Sequence, residues 1–197
     1  MCINLETSII SFLIGTLSGT YLILKDKVSP EKKVIGYFMI CISLVQLLEA
    51  GLYFFNQKSY NVLIRLLAIC LGLQGFVIYY FSKKMLKVKI SNVLYYVVMF
   101  ISIAITIIAL NSNFSIDKKS KCLNWNFINN NKYISDLLFI MYLLISILLL
   151  KTKTFRLYGF MLAITYIVSY TMKPLKNSPS AWCLSSAVIS PLMILLG

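Results

Sequence analysis

Apolar residues in this chain come in long unbroken stretches separated by short polar connections. Seven stretches stand out: roughly Leu5–Leu24, Val34–Phe55, Asn61–Ser82, Ile90–Leu110, Tyr133–Leu150, Phe155–Met172 and Ala181–Leu196. A helix crosses the hydrocarbon core of a bilayer with about 20 largely apolar residues. Barrel strands would alternate apolar and polar positions, which these stretches do not. The pattern predicts an all-α fold, a polytopic membrane helical bundle with seven transmembrane helices. Six is the alternative, because the last three stretches are short and suit tilted, kinked or interfacial helices. The first stretch lacks a basic leader and a small-residue cleavage site, so it reads as helix one and not as a signal peptide. The chain, 1–197, reads as a single transmembrane helical domain.

Composition sharpens this picture. The 197 residues are 59% hydrophobic and only 13% charged, with a mean hydropathy of +0.84. Soluble domains are about half apolar and a quarter charged. An ordinary globular enzyme, a disordered chain and a small disulfide scaffold are all excluded. Histidine is absent, which removes imidazole-based catalysis.

The formal charge is +13, and nearly all of it lies in the connections. Placing the N-terminus outside puts the basic clusters at Lys25–Lys33, Lys83–Lys89 and Lys151–Arg156 inside. The outer connections then hold Lys58, the group Lys118, Lys119, Lys121 and Lys132, and Lys173 with Lys176. The positive-inside rule therefore predicts an outer N-terminus and an inner C-terminus. The basic inner loops would attract anionic lipid headgroups. Nucleic acid is excluded as a partner, since the lysines are scattered and form no continuous patch.

Several residues speak to packing. Ser11, Gly15 and Gly19 form a small-residue stripe down helix one, and Gly72 and Gly75 offer the same on helix three. Such stripes let membrane helices approach closely. Pro191 frees the carbonyl of Ala187 and predicts a kink, with Ser186 or Ser190 as the local partner. In the 111–132 connection, Asn113-Phe114-Ser115 is a formal glycosylation acceptor and Trp125 an interfacial anchor.

Polar groups inside a bilayer are costly, so each is a functional candidate. Gln46 and Glu49 are three apart and share one face of helix two. Glu49 lies six residues from the outer end of its stretch, a depth of roughly 9 Å at helical rise. Arg65 is at similar depth on helix three, and Asp136 is near the outer end of helix five. An ion pair joining helices two and three is the plain structural reading of this group. Alternation of the helices brings Cys2, Glu6 and Ser8 into the same outer layer as Trp182, Cys183 and Ser185. Cys122 belongs to that side too, and either Cys2–Cys122 or Cys122–Cys183 would satisfy a disulfide there. Cys41 and Cys70 are mid-membrane fillers. No metal site, cofactor or catalytic set is assigned.

The motif positions also carry a resemblance. Met1-Cys2-Ile-Asn-Leu-Glu6-Thr-Ser8 resembles the Met-Cys-Phe-Ser-x-x-x-Ser opening of a family of small, uncharacterised multipass membrane proteins of bacteria, protists and large DNA viruses. Gln46-Leu-Leu-Glu49 resembles the Gln-x-x-Glu on helix two of that family. Ala181-Trp182-Cys183-Leu-Ser-Ser-Ala187 resembles its Trp-Cys segment on the last helix. The chain departs from the pattern at Asn4, at Leu5, and at Val45, where bacterial members often carry His. The resemblance implies a multipass membrane protein and no particular activity. The excess of Lys over Arg, with many Ile and Asn, fits an AT-rich genome and hence a viral source.

Three functions compete. The first is a small-solute transporter, channel or ligand-binding membrane protein using an outer polar site at Cys2, Ser8, Gln46, Glu49, Arg65, Asp136, Trp182 and Cys183. A 3+1+3 repeat would suit it, with Val34-Ile-Gly36-Tyr-Phe-Met matched to Leu157-Tyr-Gly159-Phe-Met-Leu. The second is a structural or interaction protein of a host-derived or virion membrane. The third is a membrane enzyme using thiols and a carboxylate, against which the missing His weighs. A retinal-binding receptor is excluded, because no lysine lies in the middle of a span.

Overall fold

The computed structural model describes residues 5–54, 57–86, 91–111, 115–116, 123–124, 141–171, 187, 189 and 191–195. The fold is helical, with seven helices. These are α1 (Leu5–Leu24), α2 (Pro30–Phe54), α3 (Gln57–Met85) and α4 (Asn92–Leu110), then α5 (described over 141–148), α6 (Lys153–Thr171) and α7 (helical at 187, 189 and 191–195). Between α4 and α5 two short strands, β1 (Ser115–Ile116) and β2 (Leu123–Asn124), pair antiparallel with Ser115 opposite Asn124. That ribbon interrupts the long connection expected to be loop.

Helix ends follow local chemistry more than the limits of the apolar stretches. α1 matches its stretch residue for residue. α2 begins four residues before Val34, because Ser29, Pro30 and Glu31 make a good helix start. The Ser29 Oγ accepts the Lys32 N–H at 3.4 Å, Pro30 suits the first turn, and Glu31 faces the positive end of the helix dipole. α3 runs past Ser82 to Met85, with Lys83 and Lys84 in the last turn against the negative end. Thr152 caps α6 by accepting the Phe155 N–H at 3.3 Å.

Among the described residues four helices are long and apolar enough to cross a membrane: Leu5–Leu24, Pro30–Leu52, Asn61–Met85 and Asn92–Leu110. By length and composition they give the chain the character of an integral multi-pass membrane protein. Four of the seven expected spans thus have spanning character among the described residues. α5 and α7 are described only in part. α6 is long enough, but Tyr158, Thr165, Tyr166 and Arg156 dilute its apolar run.

The packing inverts the usual amphipathic plan. The buried face of α1 is Ser8, Ser11, Gly15, Ser18, Gly19 and Leu22, while Ile10, Leu13, Leu17 and Leu24 are exposed. α4 likewise exposes Val93, Val97, Phe100 and Ile107 and buries Ser102 and Ala109. In water so much exposed apolar surface would drive aggregation. In lipid the outward Leu and Phe lose nothing, and small residues inside permit close helix contact.

α2 is central, packing on α1, α3 and α6. Its Tyr37 ring stacks on Phe81 of α3 at 3.8 Å between centroids. Phe38 meets Tyr158 of α6 edge-on at 6.1 Å. The expected glycine contacts are present and now have partners. Gly19 meets Gly36 of α2, Gly72 meets Thr106 of α4, and Gly75 meets Tyr142 of α5. α7 lies against α1 in parallel: a Cβ on Gly15 would stand 3.8 Å from the Ala187 Cβ, and two turns on Ile194 shares a cavity with Tyr21 and Leu22. The two serines expected to relieve a Pro191 kink, Ser186 and Ser190, lie outside the described residues.

Candidate functional site

The α1–α2 contact sets the geometry. Gly19 stands opposite Gly36, and Gly15 opposite Ser43, so the helices are antiparallel with a near-constant register. The same register carried one turn further puts Ser11 level with Gln46, and two turns further puts Ser8 level with Glu49. Three residues singled out from sequence therefore share one layer near the start of α1.

All three are inside the bundle. Ser8 is 4% exposed, Gln46 2% and Glu49 3%. The Gln46 Nε2 donates to the Glu49 Oε2 at 3.2 Å, a bond between neighbours three apart on one helix face. A carboxylate placed there needs partners, because an unmatched charge in a low-dielectric setting is expensive. The amide supplies one, and Glu49 has further interactions. Below this layer the polar character continues. Ser11 Oγ donates to the Thr7 carbonyl at 2.7 Å, and Ser43 Oγ to the Met39 carbonyl at 2.8 Å. Both hydroxyls satisfy themselves on their own helix, leaving their faces smooth enough for close packing.

Arg65 is exposed on α3, so a fully buried Glu49–Arg65 ion pair is not the arrangement seen. Its long side chain can reach water or headgroups from a lipid-facing position, which a short carboxylate cannot do. Cys2, Asp136, Trp182 and Cys183, with Cys122, lie outside the described residues. Cys41 of α2 and Cys70 of α3 are free, partly buried thiols, and Cys41 Sγ donates weakly to the Cys70 carbonyl at 3.9 Å across the α2–α3 contact.

A second set of buried polar groups was missed from sequence. Gln74, Tyr79 and Ser82 of α3 and Tyr158 of α6 are all buried, and their side-chain polar atoms have no hydrogen-bond partner. Gln74 carried a usable signal, a polar amide in the middle of an apolar run. The tyrosines carried none, because Tyr is common in membrane helices for its ring alone. Beside them, Tyr142 Oη pairs with Ser102 Oγ of α4 and lies 3.5 Å from the Gly72 carbonyl. That group is satisfied and ties α3, α4 and α5 together.

Chemically, the Ser8–Gln46–Glu49 layer offers a carboxylate, an amide and a hydroxyl. Such a set suits a cation or a solute rich in hydrogen-bond donors. Among the described residues no group of three or more His, Cys, Asp or Glu converges on a metal position. No protein family matches this chain, and no curated protein or solved structure matches it either.

Proposed function

We propose that this chain is a seven-span membrane bundle with an outer N-terminus, a small-solute transporter or ligand-binding protein whose site lies under the outer rim. Ser8, Gln46 and Glu49 form its floor, and the sequence reading adds Cys2, Asp136, Trp182 and Cys183 to the same outer layer. The observation that carries this reading is the buried Gln46–Glu49 pair, held at 3.2 Å inside the bundle. A carboxylate in such a place is costly to keep and gains its use by binding something cationic or rich in donors. The resemblance of these same positions to a multipass family supports the choice of residues.

The 3+1+3 repeat has support as well. Gly36 and Gly159 occupy matching places in the two similar segments, and each faces the preceding helix of its own hairpin. Gly36 meets Gly19 of α1, and Gly159 meets Ile147 of α5. The parallel run of α1 and α7 fits an odd number of crossings.

The competing reading is a structural membrane protein, favoured by the tight backbone contact of α1 and α2. Water access separates the two. In full-length protein freed of native cysteines, Gln46→Cys and Ser8→Cys are treated with a membrane-impermeant thiosulfonate from either side. A site predicts modification from the outer side only. Complete protection from both sides, in protein that still folds, assigns the polar layer to architecture.

A further inference from the structure

The end of the bundle opposite the Glu49 layer holds a cavity of about 400 Å³. It opens where α1 ends, the chain turns, and α2 begins. Its polar wall is Tyr21, Lys25, Lys27, Ser29 and Lys32, and its apolar wall is Leu22, Val28 and Ile194 of α7. Among the described residues that wall carries three lysines and no carboxylate, although Asp26 and Glu31 lie in the same turn of chain. Neither Asp26 nor Glu31 lines the cavity, whereas three lysines do.

Local structure holds this arrangement in place. Lys25 Nζ donates to the Tyr21 hydroxyl at 2.5 Å and stands 4.8 Å from the centroid of that ring, so its ammonium rests beside Tyr21 at the cavity wall. Ser29 caps α2 through the Lys32 N–H, which fixes the backbone of the first turn that carries Lys32. The positive end of the α2 dipole adds to the same field.

We infer that this cavity binds the phosphate of an anionic phospholipid headgroup. Three ammonium groups around a partly apolar pocket match a phosphate joined to a greasy tail. The volume exceeds what a bare phosphate fills and suits a headgroup of several heavy atoms. The lipid-borne source is favoured over a soluble anion by what adjoins the mouth. Leu17 and Leu24 of α1 are 67% and 72% exposed, which leaves an outward apolar track for acyl chains beside the pocket. The inference shares only its bilayer setting with the proposed outer site and does not depend on any activity there.

The test uses full-length protein in neutral detergent micelles, with fluorescent phosphatidic acid as the probe and phosphatidylcholine as the uncharged comparison. One variant carries Lys25→Gln, Lys27→Gln and Lys32→Gln. A control carries Lys84→Gln, Lys151→Gln and Lys153→Gln, which removes the same charge from exposed positions elsewhere. The expected result is saturable binding of phosphatidic acid, weakened about tenfold or more by the pocket variant and less than about twofold by the control. Should the triple variant unfold, Lys27→Gln and Lys32→Gln alone are each expected to weaken binding about threefold. Equal losses in pocket and control variants, or equal affinity for phosphatidylcholine, overturn the site. Displacement of the lipid by millimolar inorganic phosphate would move it to a soluble anion and overturn the lipid assignment.

Discussion

Gly19 of α1 and Gly36 of α2 meet backbone to backbone. A Cβ on Gly19 would stand 2.6 Å from the Gly36 carbonyl oxygen, and one on Gly36 would stand 2.7 Å from that of Gly19. Neither oxygen can swing aside as a side-chain tip could. Gly19→Ala or Gly36→Ala is therefore expected to lower stability by about 1–3 kcal/mol, the usual cost of overpacking. Gly159→Ala is the comparison, since its nearest neighbour is a methyl of Ile147 at 3.2 Å. Its loss should be under about 1 kcal/mol. Unfolding of the purified protein in mixed micelles would measure all three, and equal effects would sink the backbone-contact argument.

The Gln46–Glu49 bond predicts a coupled pair. Gln46→Leu leaves the buried carboxylate short of one donor and should cost about 1–3 kcal/mol. Glu49→Gln keeps a hydrogen-bonding partner for Gln46 and should cost less. In a double-mutant cycle with Gln46→Leu and Glu49→Leu, the coupling is expected at about 1 kcal/mol. A cycle that closes without coupling would show that the two side chains act separately.

Two kinds of buried tyrosine should respond in opposite directions. The Tyr158 hydroxyl has no partner, so Tyr158→Phe removes an unsatisfied group and should raise stability by about 1 kcal/mol. Tyr142→Phe takes away the partner of Ser102 and should lower stability by a similar amount, about 1 kcal/mol. If Tyr158→Phe instead destabilises the fold, a water or solute satisfies that hydroxyl.

The inverted packing of α1 gives a sharp contrast between faces. Leu17 is exposed on α1, so Leu17→Ala faces lipid and should change stability by less than about 0.5 kcal/mol. Ser11 is buried on the inner face of α1, and Ser11→Leu should cost about 1–3 kcal/mol by overpacking. In a soluble helix that ranking would be reversed. Comparing the two variants by thermal unfolding in detergent decides whether the exposed face is the lipid face.

Lys151, between α5 and α6, has φ 56°. Left-handed backbone costs an L-residue roughly 1–2 kcal/mol relative to glycine. Lys151→Gly should therefore raise the unfolding midpoint, while Lys151→Val should lower it. Matching midpoints for the two variants would mean the turn is not under this constraint.

Much of this fold was legible along the chain. Unbroken apolar stretches identified α1 to its ends, because a membrane helix is written by length and hydropathy alone. Ser11, Gly15 and Gly19 announced a close contact, since residues that small make no other sense along one stripe. Gln46 and Glu49 were visible as costly polar groups three apart. The starts of α2 and α6 were less visible from apolar runs, because Ser29 and Thr152 act through capping bonds outside those runs.

What one dimension does not contain is which face meets which neighbour. Sequence by itself determined that the chain is built of membrane-type helices, where its small-residue stripe lies, and that its polar groups are few and without imidazole. Only the tertiary structure decided that Gly19 pairs with Gly36, that this register brings Ser8 level with Glu49, and that Arg65 turns outward. It also decided that three lysines of the α1–α2 connection and its flanks line one cavity. The physical reason is that hydropathy is a property of each residue, whereas register and burial arise from how two helices approach. That approach is fixed here by glycine backbones touching at one level, and every pairing along α1 and α2 follows from it.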